Sequence, residues 1–257
     1  MPLATLLAKS LELVWPATCA ACDRPVPDDV LFCASCNLAI DALEGVCPGC
    51  ALPRGLDPGR RVPPEDRCWR CRRIPFPFAS ASAGFEYGAT LAEAIVRMKH
   101  GGRRFVARRL ARLLVTPLAG LLARREIGAR DLVVPVPLHV KRLRARGFNQ
   151  ASELARWALV GLRRAPALVP SGGLPRLERH LLHRTRPTRE LGHAGPAARL
   201  AEVSGAFAVS DTARVRGKQV LVVDDVFTTG ATFSECAEAL LRAGAAEVHV
   251  LALARAV

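Results

Sequence analysis

Val220 to Thr232, VLVVDDVFTTGAT, decides how the rest of the chain is read. Val220, Leu221, Val222 and Val223 form an unbroken aliphatic run, the pattern of a parallel strand buried on both faces. Polarity then reverses. Asp224 and Asp225 place two carboxylates where strand is expected to become loop, and Thr228, Thr229, Gly230 and Thr232 open a helical pattern running to about Ala243. Gly230 lets the backbone approach a ligand closely, the threonines offer hydroxyls, and the N–H groups of a helix start favour an anion. The two carboxylates would repel that same anion, so the stretch suits a ligand with a phosphate at one end and hydroxyls or a metal at the other. A sugar phosphate meets both requirements.

Working outward, Asp131 to Val136, DLVVPV, reads as a second buried strand. After it come Pro137-Leu138-His139, a loop with Lys141, Arg142, Arg144 and Arg146, then Gly147-Phe148-Asn149-Gln150 and a helix from Ala151 to Leu162. Cations at the C-terminal end of a parallel strand occupy the place where open α/β sheets bind ligands, and their natural partner is a pyrophosphate. Ala79 to Tyr87 reads as a strand, Leu91 to Met98 as a helix stopped at Lys99-His100-Gly101-Gly102, and Arg103 to about Arg124 as one further helix with an apolar side and an arginine side. Glu247 to Ala254, EVHVLALA, is another strand. With Gly205 to Val209 added, these segments predict an α/β fold with a doubly wound parallel sheet. Pro166 to Gly195 reads as strand pieces and loop, and its His180, His183 and His193 as solvated loop histidines.

The chain has 257 residues, half of them hydrophobic, which is enough for one or two domains and excludes a disordered chain. No apolar stretch reaches the length of a membrane span. Leu3 to Trp15 is broken by Lys9, Ser10 and Glu12 and lacks a cleavage site, so residues 1–16 are expected to form an amphipathic helix of a cytoplasmic protein. The net charge of +14 is concentrated in the middle: Arg97 to Arg189 holds 22 Lys or Arg against 4 Asp or Glu. Such a segment attracts phosphates, nucleotides or nucleic acid, although an arginine-rich composition throughout the chain accounts for part of it.

Of nine cysteines, eight form four C-x-x-C pairs: Cys19 and Cys22, Cys33 and Cys36, Cys47 and Cys50, Cys68 and Cys71. A cytoplasmic chain favours metal over disulfides, and each C-x-x-C turn presents two thiolates to one ion. Ten residues separate the first two pairs and seventeen the last two, spacings of zinc ribbons. Residues 17–74 are therefore expected to form a double zinc ribbon with two structural zinc ions, paired sequentially or cross-braced, ahead of a sugar-phosphate domain over residues 79–257. Cys236 stands apart as a small buried hydrophobe.

Four hydrophobics, two acids and T-T-G-x-T resemble the signature of type I phosphoribosyltransferases. The four C-x-x-C pairs, Lys99, VVPVPLHVKRLRARGFNQA and this loop, in that order, resemble the ComF or GntX-like competence-protein family over nearly the whole chain. The resemblance implies a phosphoribosyltransferase-like domain that binds 5-phosphoribosyl-1-pyrophosphate with magnesium. It gives Asp224 and Asp225 the ribose hydroxyls and the catalytic role of stabilising a ribosyl cation. The loop Val226, Phe227, Thr228, Thr229, Gly230, Ala231 and Thr232 is to bind the sugar phosphate, with the 5′-phosphate on Thr228 through Thr232, and the pyrophosphate goes to Lys99, Arg144 and Arg146. It also implies transfer of the phosphoribosyl group to a nitrogenous base and a cellular role in DNA uptake, with single-stranded DNA and a DNA-uptake helicase as partners. The competing reading is a non-catalytic nucleotide- and single-stranded-DNA-binding accessory protein that uses the same pocket for regulation. Arg184, Thr185, Arg186, Thr188, Arg199 and Gly205-Ala206-Phe207 match the family pattern, whereas Leu191 and Glu202 stand where it has Gln and Asn.

Overall fold

The structure, a computed structural model, describes residues 17–56, 67–100, 102–188 and 196–257. The expected N-terminal helix over 1–16, Leu191 and His193 lie outside the described residues. Five strands, β1 (Ser80–Glu86), β2 (Leu132–Pro135), β3 (Arg176–Leu177), β6 (Gln219–Phe227) and β7 (Glu247–Arg255), form one sheet in the order β1-β7-β6-β2-β3. All its pairings are parallel. Successive residues of β6 serve opposite faces. Val220 and Val222 enter one apolar core, Leu221 and Val223 the other, as the two-residue period of a strand requires.

Helices cover both faces. Leu91, Ile95 and Met98 of α3 (Ala89–Lys99), Val106 and Leu110 of α4 (Arg104–Leu110), Leu118 and Leu122 of α5 (Val115–Ala123) and Leu154 and Leu159 of α7 (Gln150–Arg163) pack with Leu221, Val223 and Leu251. Phe233, Cys236, Ala237 and Leu240 of α9 (Ala231–Arg242) pack with Val220, Val222 and Val250 on the opposite side.

The structure corrects four expectations. The long helix over 103–124 is broken at a 3-10 turn, Ala111–Leu114, before α5 starts. Pro117 explains the break: it has no N–H for the carbonyl four residues back, and it fits only the first turn of a new helix. Lys141 to Arg146 is no loop but the helix α6 (Val140–Arg146), closed by Gly147 at φ 81°, which donates its N–H to the Leu143 carbonyl at 2.8 Å. Gly205 to Val209 does not extend the parallel sheet. Its strand β5 (Phe207–Val209) pairs antiparallel with β4 (Leu182–Arg184) in a separate two-stranded sheet, since the chain after α8 (Pro196–Val203) runs beside β4 instead of joining the main sheet. Finally, β6 does not end before the acidic pair but runs on through Asp224, Asp225, Val226 and Phe227, since Val226 and Phe227 still pair with Ala254 and Arg255 of β7.

The cysteine-rich segment packs against the main sheet. Cys19 shares a core with the α3 and α4 side chains, while Cys47, Cys50, Cys68 and Cys71 share the other core with Phe78, Val248 and Val250. Residues 41–43 line the outer edge of β1. Ala42 forms an antiparallel bridge with Phe85, Leu43 donates its N–H to the Gly84 carbonyl at 3.0 Å, and Glu86 donates to the Asp41 carbonyl at 2.9 Å.

Candidate functional site

From β2 the chain moves to β3 on one side of the sheet, and from β6 it moves to β7 on the other, so connections diverge at the β2–β6 boundary. A pocket of about 460 Å³ opens there, beyond the C-terminal ends of the strands. Asp224, Asp225 and Val226 form its floor, with Lys99 from the end of α3. Asp225 is almost fully buried and ion-paired to Lys99 at 2.8 Å, and its N–H donates to Asp224 Oδ1 at 2.9 Å. Burial, with the Asp225 carboxylate second, pushes the Asp224 carboxyl up to about 8 although its side chain keeps partial access to the pocket. At Lys99 burial pulls the other way, and attraction to Asp225 outweighs it and raises the ammonium pKa. A carboxyl that can hold its proton beside an ion-paired one gives the floor both a hydrogen-bond donor and acceptors for sugar hydroxyls.

The loop beyond β6 divides its labour. Thr228, Thr229, Ala231 and Thr232 line the pocket. Phe227 turns away into an aromatic cluster, 6.0 Å from the rings of Phe76 and Phe78 and 5.3 Å from Phe233, so this expected loop residue does not line the pocket. Gly230 caps α9 at φ 91°, and a Cβ there would stand 2.6 Å from Phe76 Cε1, so both conformation and space demand glycine. Among the described residues no backbone hydrogen bond takes the N–H groups of Thr228, Thr229 or Gly230.

Cations face the acidic floor. Because α6 is helical, Arg142 and Arg146, four residues apart, share a face that lines the pocket, and Arg144 lies exposed outside the lining. Arg146 Nη1 donates to Gln150 Oε1 at 2.6 Å and Arg142 Nη2 to the Thr188 carbonyl at 3.0 Å. Arg184 of β4 and Arg199 and Glu202 of α8 complete the wall. Burial, with Arg142 nearby, lowers the pKa of the Arg184 guanidinium, which also stacks 5.1 Å above the Phe207 ring. Reading residues 141–146 as a loop hides the role of Arg142. The signal for it was the four-residue spacing ahead of Gly147.

The eight paired cysteines gather sequentially, Cys19, Cys22, Cys33 and Cys36 in one cluster and Cys47, Cys50, Cys68 and Cys71 in another, with ligand atoms within 4.8 Å of one another in each. All nine cysteines are unbridged. Four Zn–S bonds in a tetrahedron set sulfur atoms roughly 3.8 Å apart. Cys22 and Cys33 are 3.7 Å apart, Cys50 and Cys68 3.5 Å, and Cys47 and Cys71 3.9 Å, so both donor sets fit a zinc ion. In the second cluster the Cys68 N–H also donates to Cys47 Sγ at 3.2 Å, the kind of outer contact that fixes a metal-bound thiolate.

A parallel sheet that ends in an acidic pair and a Thr-Gly loop at its switch point defines a phosphoribosyltransferase-type domain, and the family model described as a phosphoribosyl transferase domain matches residues 169–256. The DNA utilization protein YhgH of Salmonella typhi is 32% identical over 250 residues, 95% of this chain and 99% of the relative. The competence protein ComFC of Bacillus subtilis is 24% identical over 254 residues, covering 92% and 94% of the two chains. Competence protein F of Haemophilus influenzae is 28% identical over 167 residues, 63% of this chain and 66% of the relative. The chain belongs to the ComF (GntX-like) competence-protein family. Among the described residues no helix is long and apolar enough to cross a membrane.

Proposed function

We propose that the pocket binds 5-phosphoribosyl-1-pyrophosphate with magnesium and transfers its phosphoribosyl group to a nitrogenous base, in a cytoplasmic protein that serves competence and the use of external DNA. The observation that carries this reading is the division of the pocket: carboxylates on the floor, open backbone N–H groups with threonine hydroxyls on one side, and arginines on the other. The ribose hydroxyls are assigned to Asp224 and Asp225, the 5′-phosphate to Thr228 through Thr232, and the pyrophosphate to Lys99, Arg142 and Arg146. Magnesium would neutralise part of the pyrophosphate charge. Transfer breaks the C1–O bond to pyrophosphate and forms a C1–N bond, with the base giving up a proton. What the chain supplies is orientation, a carboxylate near the developing ribosyl cation and guanidinium groups near the departing anion. The two cysteine clusters are assigned to structural zinc, with residues 17–74 as the zinc module and 79–257 as the transferase domain.

Calorimetric titration with 5-phosphoribosyl-1-pyrophosphate and magnesium, alongside pyrophosphate release across the common bases, tests this reading. Wild type should bind. Asp225→Asn leaves Lys99 without its ion-pair partner and should bind at least about tenfold more weakly, with no transfer, while its melting stays cooperative. Equal affinity in the two proteins, or no binding by wild type, refutes the assignment.

A second reading, that the chain holds single-stranded DNA, is favoured by Lys141 and Arg144, which are exposed on α6 outside the pocket. Contacts of this kind neutralise phosphates and release counterions, so affinity should fall steeply with salt. Replacing both residues with alanine should flatten that dependence and leave sugar-phosphate binding unchanged; an unaltered salt slope removes them from any DNA path.

A further inference from the structure

The side of the phosphate loop that faces away from the pocket rests on the second cysteine cluster. Arg70 lies inside the Cys68–Cys71 turn, and its Nη2 donates to the Thr229 carbonyl at 3.2 Å. Arg255, at the end of β7, is fully buried. Its Nε donates to the Cys50 carbonyl at 2.9 Å, and its Nη1 to the carbonyls of Phe227 at 2.9 Å and Thr228 at 2.7 Å. The guanidinium also lies 4.5 Å from the centre of the Phe227 ring. Phe76, five residues beyond Cys71, fills the space in which Gly230 lacks a side chain. Three consecutive carbonyls, from the end of β6 into the loop, thus accept from two arginines, that of Phe227 also from the Ala256 N–H at 2.9 Å; Arg70 belongs to the second cluster's Cys68–Cys71 turn, and Arg255 is tied to that cluster through the Cys50 carbonyl.

Peptide planarity gives this arrangement a direction. In a trans peptide the carbonyl of one residue and the N–H of the next point in opposite directions, and the described residues contain no cis peptide. Holding the carbonyls of Phe227, Thr228 and Thr229 toward the cluster therefore turns the N–H groups of Thr228, Thr229 and Gly230 away from it, and Thr228 and Thr229 line the pocket. These are the three N–H groups that no backbone acceptor takes. Four thiolates around a divalent ion would carry net negative charge, which suits a guanidinium beside the cluster such as that of Arg255.

We propose that Arg70 and Arg255 are positioning residues that make the second cysteine cluster part of the phosphate site: a filled cluster fixes the loop carbonyls and so presents the loop N–H groups to a sugar 5-phosphate. This rests on the sugar-phosphate reading of the pocket. Neither arginine touches the ligand. Coupling between the two sites is reciprocal, so a phosphate ligand on the loop must also tighten metal in the second cluster.

The full chain, purified with zinc, is titrated with ribose 5-phosphate and, separately, with magnesium pyrophosphate. Arg70→Ala should retain two zinc ions per chain and weaken ribose 5-phosphate by about tenfold. Magnesium pyrophosphate, which the cations across the pocket bind, should keep its affinity. Arg70→Lys, which keeps one charged donor, should recover part of the loss. Arg24→Ala is the control, because Arg24 contacts Cys22 in the first cluster and nothing in the loop. A second measurement uses Cys33→Ser, which retains the second cluster alone. Saturating ribose 5-phosphate should raise the chelator concentration needed to strip its zinc. If wild type binds ribose 5-phosphate and Arg70→Ala binds it equally, or if the ligand leaves zinc affinity unchanged, the coupling is overturned while the pocket reading stands. If wild type binds no ribose 5-phosphate, both fall together.

Discussion

The two cysteine clusters share a motif and differ in nearly everything around it. In the first, Cys19 is buried and Cys22, Cys33 and Cys36 are partly open; in the second, all four ligands are buried. The first docks on the helical face with Cys19, Ala20, Ala21 and Phe32 in the apolar core there and polar contacts at its rim. Asp23 meets Arg97 and Arg103, and Arg109 donates to the carbonyls of Thr18 and Val30. The second sits in the apolar core beside β7 and reaches the pocket through Arg70 and Arg255. One sequence pattern therefore builds a clamp on the outside of the domain and a support beneath the loop that follows β6.

The largest effect expected from this difference is on stability. Structural zinc contributes on the order of 10 kcal/mol to small metal modules, and a buried cluster delivers that energy to the surrounding core. Cys50→Ser should lose cooperative melting or shift it far downward, whereas Cys22→Ser should lose one zinc and keep most of the transition. Calorimetry with metal analysis decides, and similar melting losses in the two variants would erase the distinction.

A medium effect should appear with pH, on the pocket side only. Asp224 holds its proton up to about 8 in the folded chain, far above an ordinary carboxyl. Between about pH 4 and 8 the unfolded chain has released that proton and the folded chain still holds it, so stability falls as pH rises through this window. Asp224→Asn should flatten the decline. Retention of the full slope in that variant would place its origin elsewhere.

The smallest effect belongs to the rim of the first cluster. Burial works against the charge of Asp23, but Arg97 and Arg103 hold its carboxyl below the ordinary range. These are exposed ion pairs, each worth within about 1 kcal/mol. Asp23→Ala should shift melting slightly and leave sugar-phosphate binding unchanged. A loss comparable to that of Cys50→Ser would mean that the first cluster is as deeply integrated as the second.

The sequence made the central strands legible because β2, β6 and β7 are buried on both faces and so read as continuous apolar runs, and the acidic pair marks where the apolar run of β6 stops although strand and burial continue to Phe227. Cysteine spacing marked four pairs suited to metal but left sequential and cross-braced pairing open, and only the folded chain shows the sequential grouping. Other features resisted reading for physical reasons. The cation run of α6 hid its helix, whose markers were His139, which caps it, and Gly147. The β4–β5 pairing joins Leu182 to Val209 across a long excursion that no local pattern announces. Arg255 follows EVHVLALA as one more arginine in an arginine-rich chain, and its contacts with the carbonyls of Cys50, Phe227 and Thr228 exist only in the folded arrangement.

The bridge between Ala42 and Phe85 bears on how the protein avoids sticking to itself. β1 is an outer strand of the sheet, and an uncovered outer strand is a template for pairing with other chains. Residues 41–43 occupy part of that edge, and they hang between Cys36 and Cys47, one ligand from each cluster. Metal in both clusters would hold this strip in place along β1. A chain deprived of zinc would uncover a hydrogen-bonding edge as well as lose two folded turns, so metal supply during synthesis would govern how much of the protein stays in solution.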